Sequence, residues 1–284
     1  MDTAYRPYRS VLYIPGSKER ALDKARGLAC DAIIFDLEDA VTPDAKPEAR
    51  ETLKTALLAG GYGDRAKIIR VNGLDSEWGA DDVAALKDAG ADAILLPKVN
   101  SRADVEALDD LLGGETAIWA MIETPLGVLN ALEIAAHPRL TGFVAGTNDL
   151  AKELNCRTPA DRLPMMFALQ QMLLAARAHD VICVDGVYNQ YKDEEGLAAE
   201  CEQGRDLGFD GKTLIHPAQV AGANTAFAPS QEEIDLAKRQ IAAHEEIERT
   251  GQGVAVVDGK IVENLHVETA KKTLAKAETI ARMG

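Results

Sequence analysis

The chain has 284 residues, a formal net charge of −15 and 46% hydrophobic residues. A nucleic-acid-binding protein needs a basic surface to displace counterions from phosphates, so this charge argues against DNA or RNA as a partner. The length suffices for one large α/β barrel or two ordinary domains, with a core that needs no disulfide or metal to hold it together.

The cysteines and the N-terminus point to the cytosol. Cys30, Cys156, Cys183 and Cys201 are too widely spaced for a metal-binding knuckle, and we interpret them as isolated reduced thiols. The opening MDTAYRPYRS contains no apolar signal-peptide segment, and no apolar stretch approaches the length of a membrane span. We therefore expect a cytoplasmic protein with no membrane partner.

Short apolar runs alternate with longer amphipathic segments along most of the chain. Each run lacks polar alternation, which is typical of a parallel strand buried on both faces. The intervening segments, such as SRADVEALDDLLGG, begin and end with the residues that cap helices. The runs occupy residues 10–16, 32–39, 66–72, 93–99, 117–123, 142–149, 181–187 and 212–217.

Eight such strand–helix units predict a (β/α)8 TIM barrel over residues 1–224. An open doubly wound sheet is the alternative, but no G-x-G-x-x-G follows the first predicted strand. Residues 225–284 are predicted to form a C-terminal lid or subunit-contact extension. It contains a charged helix from residue 231, a β-hairpin turning at Asp258-Gly259, and a final helix.

Polar residues follow the predicted strands at the carboxyl ends, which form the working face of a TIM barrel. Any one of them could simply be solvated, but four carboxylates at one mouth repel each other unless a cation compensates. These residues are Asp36, Glu38, Asp39, Arg70, Asn72, Lys98, Glu123, Thr147, Asn148, Asp149 and His216.

Glu123 and Asp149 are the predicted metal ligands because they end adjacent strands at the same rim. Two carboxylates, with the other positions left to water and substrate, suit Mg²⁺, for which Mn²⁺ can substitute. No His or Cys stands at the spacing that zinc requires. Arg70 can then hydrogen-bond a carbonyl oxygen as it gains negative charge. A salt bridge from Arg70 to Glu38 or Asp39 is the other interpretation, and both can hold.

At these residues the sequence resembles the citrate lyase β-subunit/HpcH–HpaI family of CoA-ester lyases, and most closely its malyl-CoA lyase and thioesterase branch. The C-terminal VDGKIVE also resembles the family's lid, so the resemblance covers nearly the whole chain. The other matching stretches are RSVLYIPGSKER, AIIFDLEDAV with a PxxKxxAR-like helix, IIRVNGLDS, ILLPKV, IETPLGVLN, AGTNDL and KTLIHPAQV.

The resemblance implies a role for each candidate residue. Glu123 and Asp149 would hold Mg²⁺, and Arg70 would stabilise the thioester enolate or oxyanion. Glu38 and Asp39 would support Arg70 and metal-bound waters, while the backbone at Thr147 and Asn148 would bind the distal carboxylate. The family is commonly trimeric or hexameric, with each lid closing over a neighbour's active site. The expected border of the CoA entrance is Tyr13, Pro15, Lys18 and Arg20, the last two near exposed amides that suit a phosphate.

The lid departs from the family pattern at one residue. Lyase members usually carry an Asp acid/base in the motif DGKMID, whereas DGKIVENLH places the longer Glu263 there. A shift of about 1 Å in the base can cost enolate chemistry on the order of 100-fold. A longer carboxylate can instead position a water against the thioester carbonyl. This favours hydrolysis of a malyl-CoA-type thioester, as in a (3S)-malyl-CoA thioesterase, to malate and CoA.

Two alternatives stay open. The first is reversible Claisen cleavage of malyl-CoA, β-methylmalyl-CoA, citramalyl-CoA or a citryl thioester at the same site. The second is a citrate lyase β subunit that is inactive without its acyl-carrier partner. A sugar-acid aldolase is disfavoured because that branch typically uses a His near the metal as base, and no upstream strand end offers one.

Overall fold

The computed structural model describes residues 6–251 and 253–283, so the outermost parts of the predicted domains, 1–5 and 284, lie outside the described residues. Backbone contacts divide the chain into two compact units. One is Tyr8–Phe227, and the other is formed by residues 228–251 and 253–283 with residues 6–7. The assignment of 1–224 to the active-site barrel and of 225–284 to a lid stays a prediction.

The first unit is a closed barrel of eight parallel strands, in which each strand pairs with the next and the eighth returns to the first. This confirms the predicted TIM barrel. Several strands are shorter than the predicted runs because their polar ends belong to loops and helix starts. The strands are β1 Ser10–Pro15, β2 Ala32–Asp36, β3 Ala66–Arg70, β4 Ala93–Leu96, β5 Ala117–Ile122, β6 Leu140–Ala145, β7 Ile182–Asp185 and β8 Gly211–Leu214.

Helices connect the strands and surround the barrel. The predicted caps are present in several of them, such as the Ser101–Asp104 capping box that starts the fourth helix and the left-handed Gly113 that ends it. The helices are α1 Glu19–Ala25, α2 Lys46–Ala59, α3 Gly79–Leu86, α4 Arg102–Leu112, α5 Pro125–Leu129, α6 Ala131–Ala135, α7 Thr147–Glu153, α8 Met166–Ala178, α9 Glu194–Leu207 and α10 Val220–Phe227.

The two faces of the barrel sheet carry two separate hydrophobic cores, one inside the barrel and one under the helices. Successive side chains of a strand point to opposite faces, so every second residue enters the interior. In β2, Ala32 and Ile34 are interior residues, and Asp36 continues that row. Arg70 continues the row of Ile68 in β3. The strand pleat therefore directs both charged side chains into the mouth of the barrel.

A buried ionic cluster joins β7, β8 and α9 on the helix-facing side of the sheet, and the sequence analysis missed it. Asp185 accepts hydrogen bonds from Arg162 Nη1 at 2.7 Å and from Lys212 Nζ at 3.0 Å. Lys212 also donates to Glu200 at 2.6 Å. Burial would raise the pKa of Asp185, but Lys212 and Arg162 hold it below its usual value. The four charges balance, which lets them stay buried.

The second unit contains α11 Gln231–Thr250, the antiparallel pair β9 Val256–Val257 and β10 Lys260–Ile261, and α12 Asn264–Met283. The predicted hairpin is confirmed, since Asp258 and Gly259 form its turn with φ of 51° and 76°. Its hydrophobic cluster contains Ala255, Val262 and Val267. Among the described residues, no helix of either unit is long and apolar enough to cross a membrane.

Candidate active site

A cavity of about 340 Å³ opens at the carboxyl ends of the barrel strands. Most of the predicted site residues line it, together with residues that the sequence did not single out. All lining residues belong to the barrel unit. They are Tyr13, Pro15, Asp36, Asp39, Ala40, Arg70, Met121, Glu123, Ala145, Gly146, Thr147, Asn148, Asp149, Val187 and Ile215.

Arg70 is buried at the wall of this cavity and is held mainly by Asp36. Its Nε lies 2.8 Å from Asp36 Oδ1 and its Nη2 lies 2.6 Å from Oδ2, a bidentate pair. Asp36 was expected at the strand end, but Glu38 or Asp39 was expected to pair with Arg70; both of those ion pairs are present beside the bidentate one to Asp36. In the fold, Asp36 and Arg70 are interior residues at the ends of adjacent strands and are directly paired, a register that the sequence alone does not show.

The third guanidinium nitrogen, Arg70 Nη1, faces weaker partners. It lies 2.8 Å from Glu38 Oε2 and 3.5 Å from Asp39 Oδ2. Neither contact has hydrogen-bond geometry, and Nη1 donates instead to Met121 Sδ at 3.7 Å. Sulfur is a weak acceptor. Asp36 therefore fixes the plane of the guanidinium while Nη1 retains capacity to donate to a ligand oxygen.

Tyr13 lies beside Arg70, with the guanidinium carbon 5.0 Å from the centre of its ring. Its hydroxyl is buried and has no hydrogen-bond partner within the part of the chain that the structure describes. Burial raises the pKa of Tyr13, so the hydroxyl keeps its proton and can donate. A buried orphan hydroxyl costs about 1–3 kcal/mol, which a ligand in this cavity can recover.

Glu123 is 1% exposed and follows β5 at the base of the cavity. Its Oε1 accepts a hydrogen bond from the Lys98 amide at 2.8 Å. On its other side only glycine fits, since a Cβ at Gly146 would lie 2.5 Å from Oε2. Burial, then repulsion from Glu38 and Asp149, raises the pKa of Glu123 to about 7. The site therefore holds negative charge that a cation would stabilise.

The donor set fits Mg²⁺. Glu123 and Asp149 both line the cavity and supply hard oxygen ligands. Among the residues that the structure describes, no three His, Cys, Asp or Glu side chains are grouped to hold a metal. A two-carboxylate site that leaves the remaining positions to water and substrate oxygens is what Mg²⁺ prefers.

The start of α7 brings Thr147, Asn148 and Asp149 to the cavity. Thr147 packs closely against Gly186, where a Cβ would lie 2.3 Å from Thr147 Oγ1. The Asn148 side chain exchanges hydrogen bonds of 2.8 and 3.3 Å with Asn189 from the loop after β7. These contacts fix this wall of the cavity without occupying the backbone amides of Thr147 and Asn148.

Lys46 organises the acidic loop after β2, a role that was not predicted from the sequence. Its buried Nζ donates to the carbonyl oxygens of Leu37 and Glu38, each at 2.9 Å, and to Asn72 Oδ1 at 2.7 Å. Asp82 in turn holds Asn72, accepting from its Nδ2 at 2.6 Å. The PxxKxxAR-like stretch contained Lys46, but only the fold reveals what it binds.

Several predicted residues are not among those that line this cavity. Lys18 and Arg20 are exposed at the start of α1 and do not line it. His216 caps a 3₁₀ turn through the Ala218 amide and stacks on Tyr191 with ring centres 4.5 Å apart. Glu263 is exposed in the second unit, immediately before α12. The proposed CoA and catalytic roles of Lys18, Arg20 and Glu263 stay predictions.

Comparison with known proteins extends these observations. Residues 9–217 match the model of the HpcH/HpaI aldolase/citrate lyase family. A (3S)-malyl-CoA thioesterase of Cereibacter sphaeroides is 66% identical over 98% of this chain and 97% of that protein. The citrate lyase subunit beta of Escherichia coli is 36% identical over 96% and 94%. CitE of Mycobacterium tuberculosis, solved with magnesium, acetoacetate and coenzyme A, matches with a TM-score of 0.81 at 30% identity, covering 97% of this chain and 99% of that one.

Proposed function

The chain belongs to the HpcH/HpaI aldolase/citrate lyase family, and we propose that it is a Mg²⁺-dependent thioesterase that converts (3S)-malyl-CoA to malate and CoA. One observation carries the proposal: a buried, oriented Arg70 and the carboxylates Glu123 and Asp149 line the same cavity. That arrangement can bind a hydroxy-carboxylate at one side and a thioester carbonyl at the other. The thioesterase relatives, 66–67% identical over nearly the whole chain, support the same reaction.

Glu123 and Asp149 hold the metal in this proposal, and bound Mg²⁺ supplies a Lewis acid for the substrate's hydroxyl and carboxylate oxygens. The solved relative that contains magnesium supports this metal. The proposal allows Mn²⁺ to substitute, because a carboxylate and water site also suits that ion. The amides of Thr147 and Asn148 bind the distal carboxylate. Arg70 Nη1 donates to the thioester oxygen as negative charge develops there, with Asp36 keeping the donor in place.

Glu263 of a neighbouring chain is the proposed base that takes a proton from the attacking water. The family resemblance supports a homotrimer or hexamer that exchanges lids. Tyr13, Pro15, Lys18 and Arg20 border the CoA path in this proposal. Its support is uneven, since Tyr13 and Pro15 line the cavity whereas Lys18 and Arg20 are exposed outside it. The cytoplasmic location stays a prediction.

Carbon–carbon cleavage of the same or a related thioester is the second candidate. The citrate lyase subunit beta relatives favour this reaction. CitE also supports it, because that protein was solved with a keto acid, acetoacetate, together with coenzyme A. The same Arg70 would then stabilise an enolate. A β subunit that needs an acyl-carrier partner is the third candidate, and turnover of free CoA esters by the purified chain would exclude it.

The decisive experiment is a product analysis of the purified protein with (3S)-malyl-CoA and Mg²⁺. Free thiol, malate, glyoxylate and acetyl-CoA are followed together, with EDTA as the metal-free control. We expect malate and free CoA in equal amounts; glyoxylate and acetyl-CoA would instead establish the lyase. Asp149→Asn should lower the Mg²⁺-dependent rate by at least about 100-fold. The matched variant Glu153→Gln, exposed on the same helix, should not.

A further inference from the structure

Lys98 occupies an unusual backbone position at the barrel mouth. It follows β4 and Pro97, and its φ of 51° places it in the left-handed region. Such a conformation costs a residue with a side chain about 1–3 kcal/mol and persists where the surroundings enforce it. Its side chain is 49% exposed, so hydrophobic burial does not explain the strain.

The backbone amide of Lys98 is directed at Glu123, to whose Oε1 it donates at 2.8 Å. Gly146 crowds the Oε2 side of the same carboxylate. Glu123 is thus confined between an amide donor and a glycine backbone. The left-handed turn at Lys98 supplies one half of this confinement.

The side chain of Lys98 turns to a second carboxylate. Its Nζ donates to Glu38 Oε1 at 2.5 Å, while Glu38 Oε2 lies 2.8 Å from Arg70 Nη1. Glu38 is therefore held between two cations. Glu123 is buried and Glu38 is partly buried, with 12% of its side chain exposed. The two carboxylates repel each other, and burial together with this repulsion disfavours the charge on Glu123. The Lys98 ammonium offsets that repulsion.

We propose that Lys98 is a positioning residue whose amide fixes Glu123 and whose ammonium keeps Glu38 on Arg70 and away from the metal. This inference rests on the proposed function of the site. Without the ammonium, Glu38 loses its partner on one side and can turn towards the cation beside Glu123. Arg70 Nη1 would then lose the carboxylate that faces it at 2.8 Å, although the bidentate bond to Asp36 would still hold the guanidinium plane.

A double-mutant cycle between Lys98→Met and Glu38→Gln tests this role. Lys98→Met should lower kcat on the order of 10- to 100-fold with little change in KM, because moving the Glu38 carboxylate from Arg70 towards the metal changes the charges around the groups that act in the chemical step. The same change in a Glu38→Gln background should add less than about twofold, since Lys98 acts through Glu38. Lys98→Arg, which keeps the charge, should retain most activity. Additive effects, or Lys98→Met within twofold of wild type, would overturn the proposal.

A second readout does not need turnover. The affinity for Mg²⁺, measured by calorimetry, should rise several-fold in Lys98→Met because Glu38 is freed to approach the metal, and Glu38→Gln should remove that gain. Lys152→Met removes one exposed cation from α7 and controls for net charge. If the wild type binds Mg²⁺ but leaves malyl-CoA intact, the proposed function fails. The Mg²⁺ affinities of the single and double variants would still decide the role of Lys98. A gain that persists with Gln at position 38 would overturn that role.

Discussion

At the scale of single residues, the Tyr13 hydroxyl gives the most specific prediction for the cavity. It is buried without a protein partner among the described residues and stands beside Arg70. If it donates to bound substrate, Tyr13→Phe should lower kcat/KM by about 10-fold or more. The same change should leave the protein as stable or more stable, because it removes an unsatisfied group. Unchanged kinetics together with lower stability would show that the hydroxyl only supports the fold.

The metal site should also respond to pH through Glu123, whose pKa burial and the repulsion from Glu38 raise to about 7 in the metal-free protein. Below that pH the carboxyl is protonated, and Mg²⁺ must displace the proton to bind. The apparent affinity should therefore fall about tenfold per pH unit below 7 and level off above it. Calorimetry from pH 5.5 to 8.5 would measure this, and an affinity that stays flat would contradict it.

The preference for hydrolysis over carbon–carbon cleavage depends on Glu263 in this proposal. Because the shorter Asp is the usual base of the lyase branch, Glu263→Asp should raise the ratio of glyoxylate to malate formed from malyl-CoA. Glu268→Asp, an exposed carboxylate of α12, is the matched control and should leave the ratio unchanged. An unchanged ratio in Glu263→Asp would remove the reason for preferring hydrolysis on the grounds of this residue.

At the scale of elements, the barrel could be predicted from the sequence because the unalternated apolar runs and the capped amphipathic helices both agree with that fold. The position of the strand-end residues at the barrel mouth could also be predicted, since parallel strands bring their carboxyl ends to one face. The pairing of Arg70 with Asp36 could not be predicted, because one must know which residues of β2 face the barrel interior to choose Asp36 over Glu38. The left-handed turn at Lys98 had no signal, since lysine does not favour that conformation.

The cluster of Asp185, Lys212, Arg162 and Glu200 was missed for a related reason. Lys212 stands inside a strand and is fully buried, although lysine is almost never buried without a partner. Its carboxylate partners Asp185 and Glu200 come from β7 and α9, and Arg162 reaches Asp185 from the loop before α8. Only the closed fold brings these residues together, so no local sequence pattern could predict the cluster.

This cluster predicts a stability effect. Asp185→Asn would leave two buried cations facing a single carboxylate, at a cost of about 3–5 kcal/mol in the free energy of unfolding at pH 7. Because the folded pKa of Asp185 lies below its usual value, its contribution is present above about pH 3.9 and is lost as the pH falls through the folded pKa. Urea unfolding at several pH values, with the exposed Asp88→Asn as control, measures both effects. A loss under about 1 kcal/mol at pH 7 would contradict it.

At the scale of the whole molecule, the surface combines strong negative charge with two exposed apolar sets. One lies on neighbouring barrel helices and comprises Leu126, Leu129, Leu132, Leu163, Phe167 and Leu174. The other lies in the second unit and comprises Val254, Val256, Ile261 and Leu265. Exposed apolar sets of this kind mark interaction surfaces. With a net charge of −15, copies of the chain repel one another, so apolar burial must drive any self-association.

We therefore expect the proposed trimer or hexamer to depend on the barrel set. Phe167 is 70% exposed on α8, and Phe167→Glu would bury an unpaired charge against a second acidic copy. The oligomer should dissociate on the order of 100-fold more readily, as measured by light scattering over a dilution series. Leu58→Glu, 66% exposed on α2, is the matched control and should assemble like wild type. If Phe167→Glu also assembles normally, other surfaces hold the copies together; a monomeric wild type would refute the proposed assembly itself, and with it a base supplied by Glu263 of a neighbour.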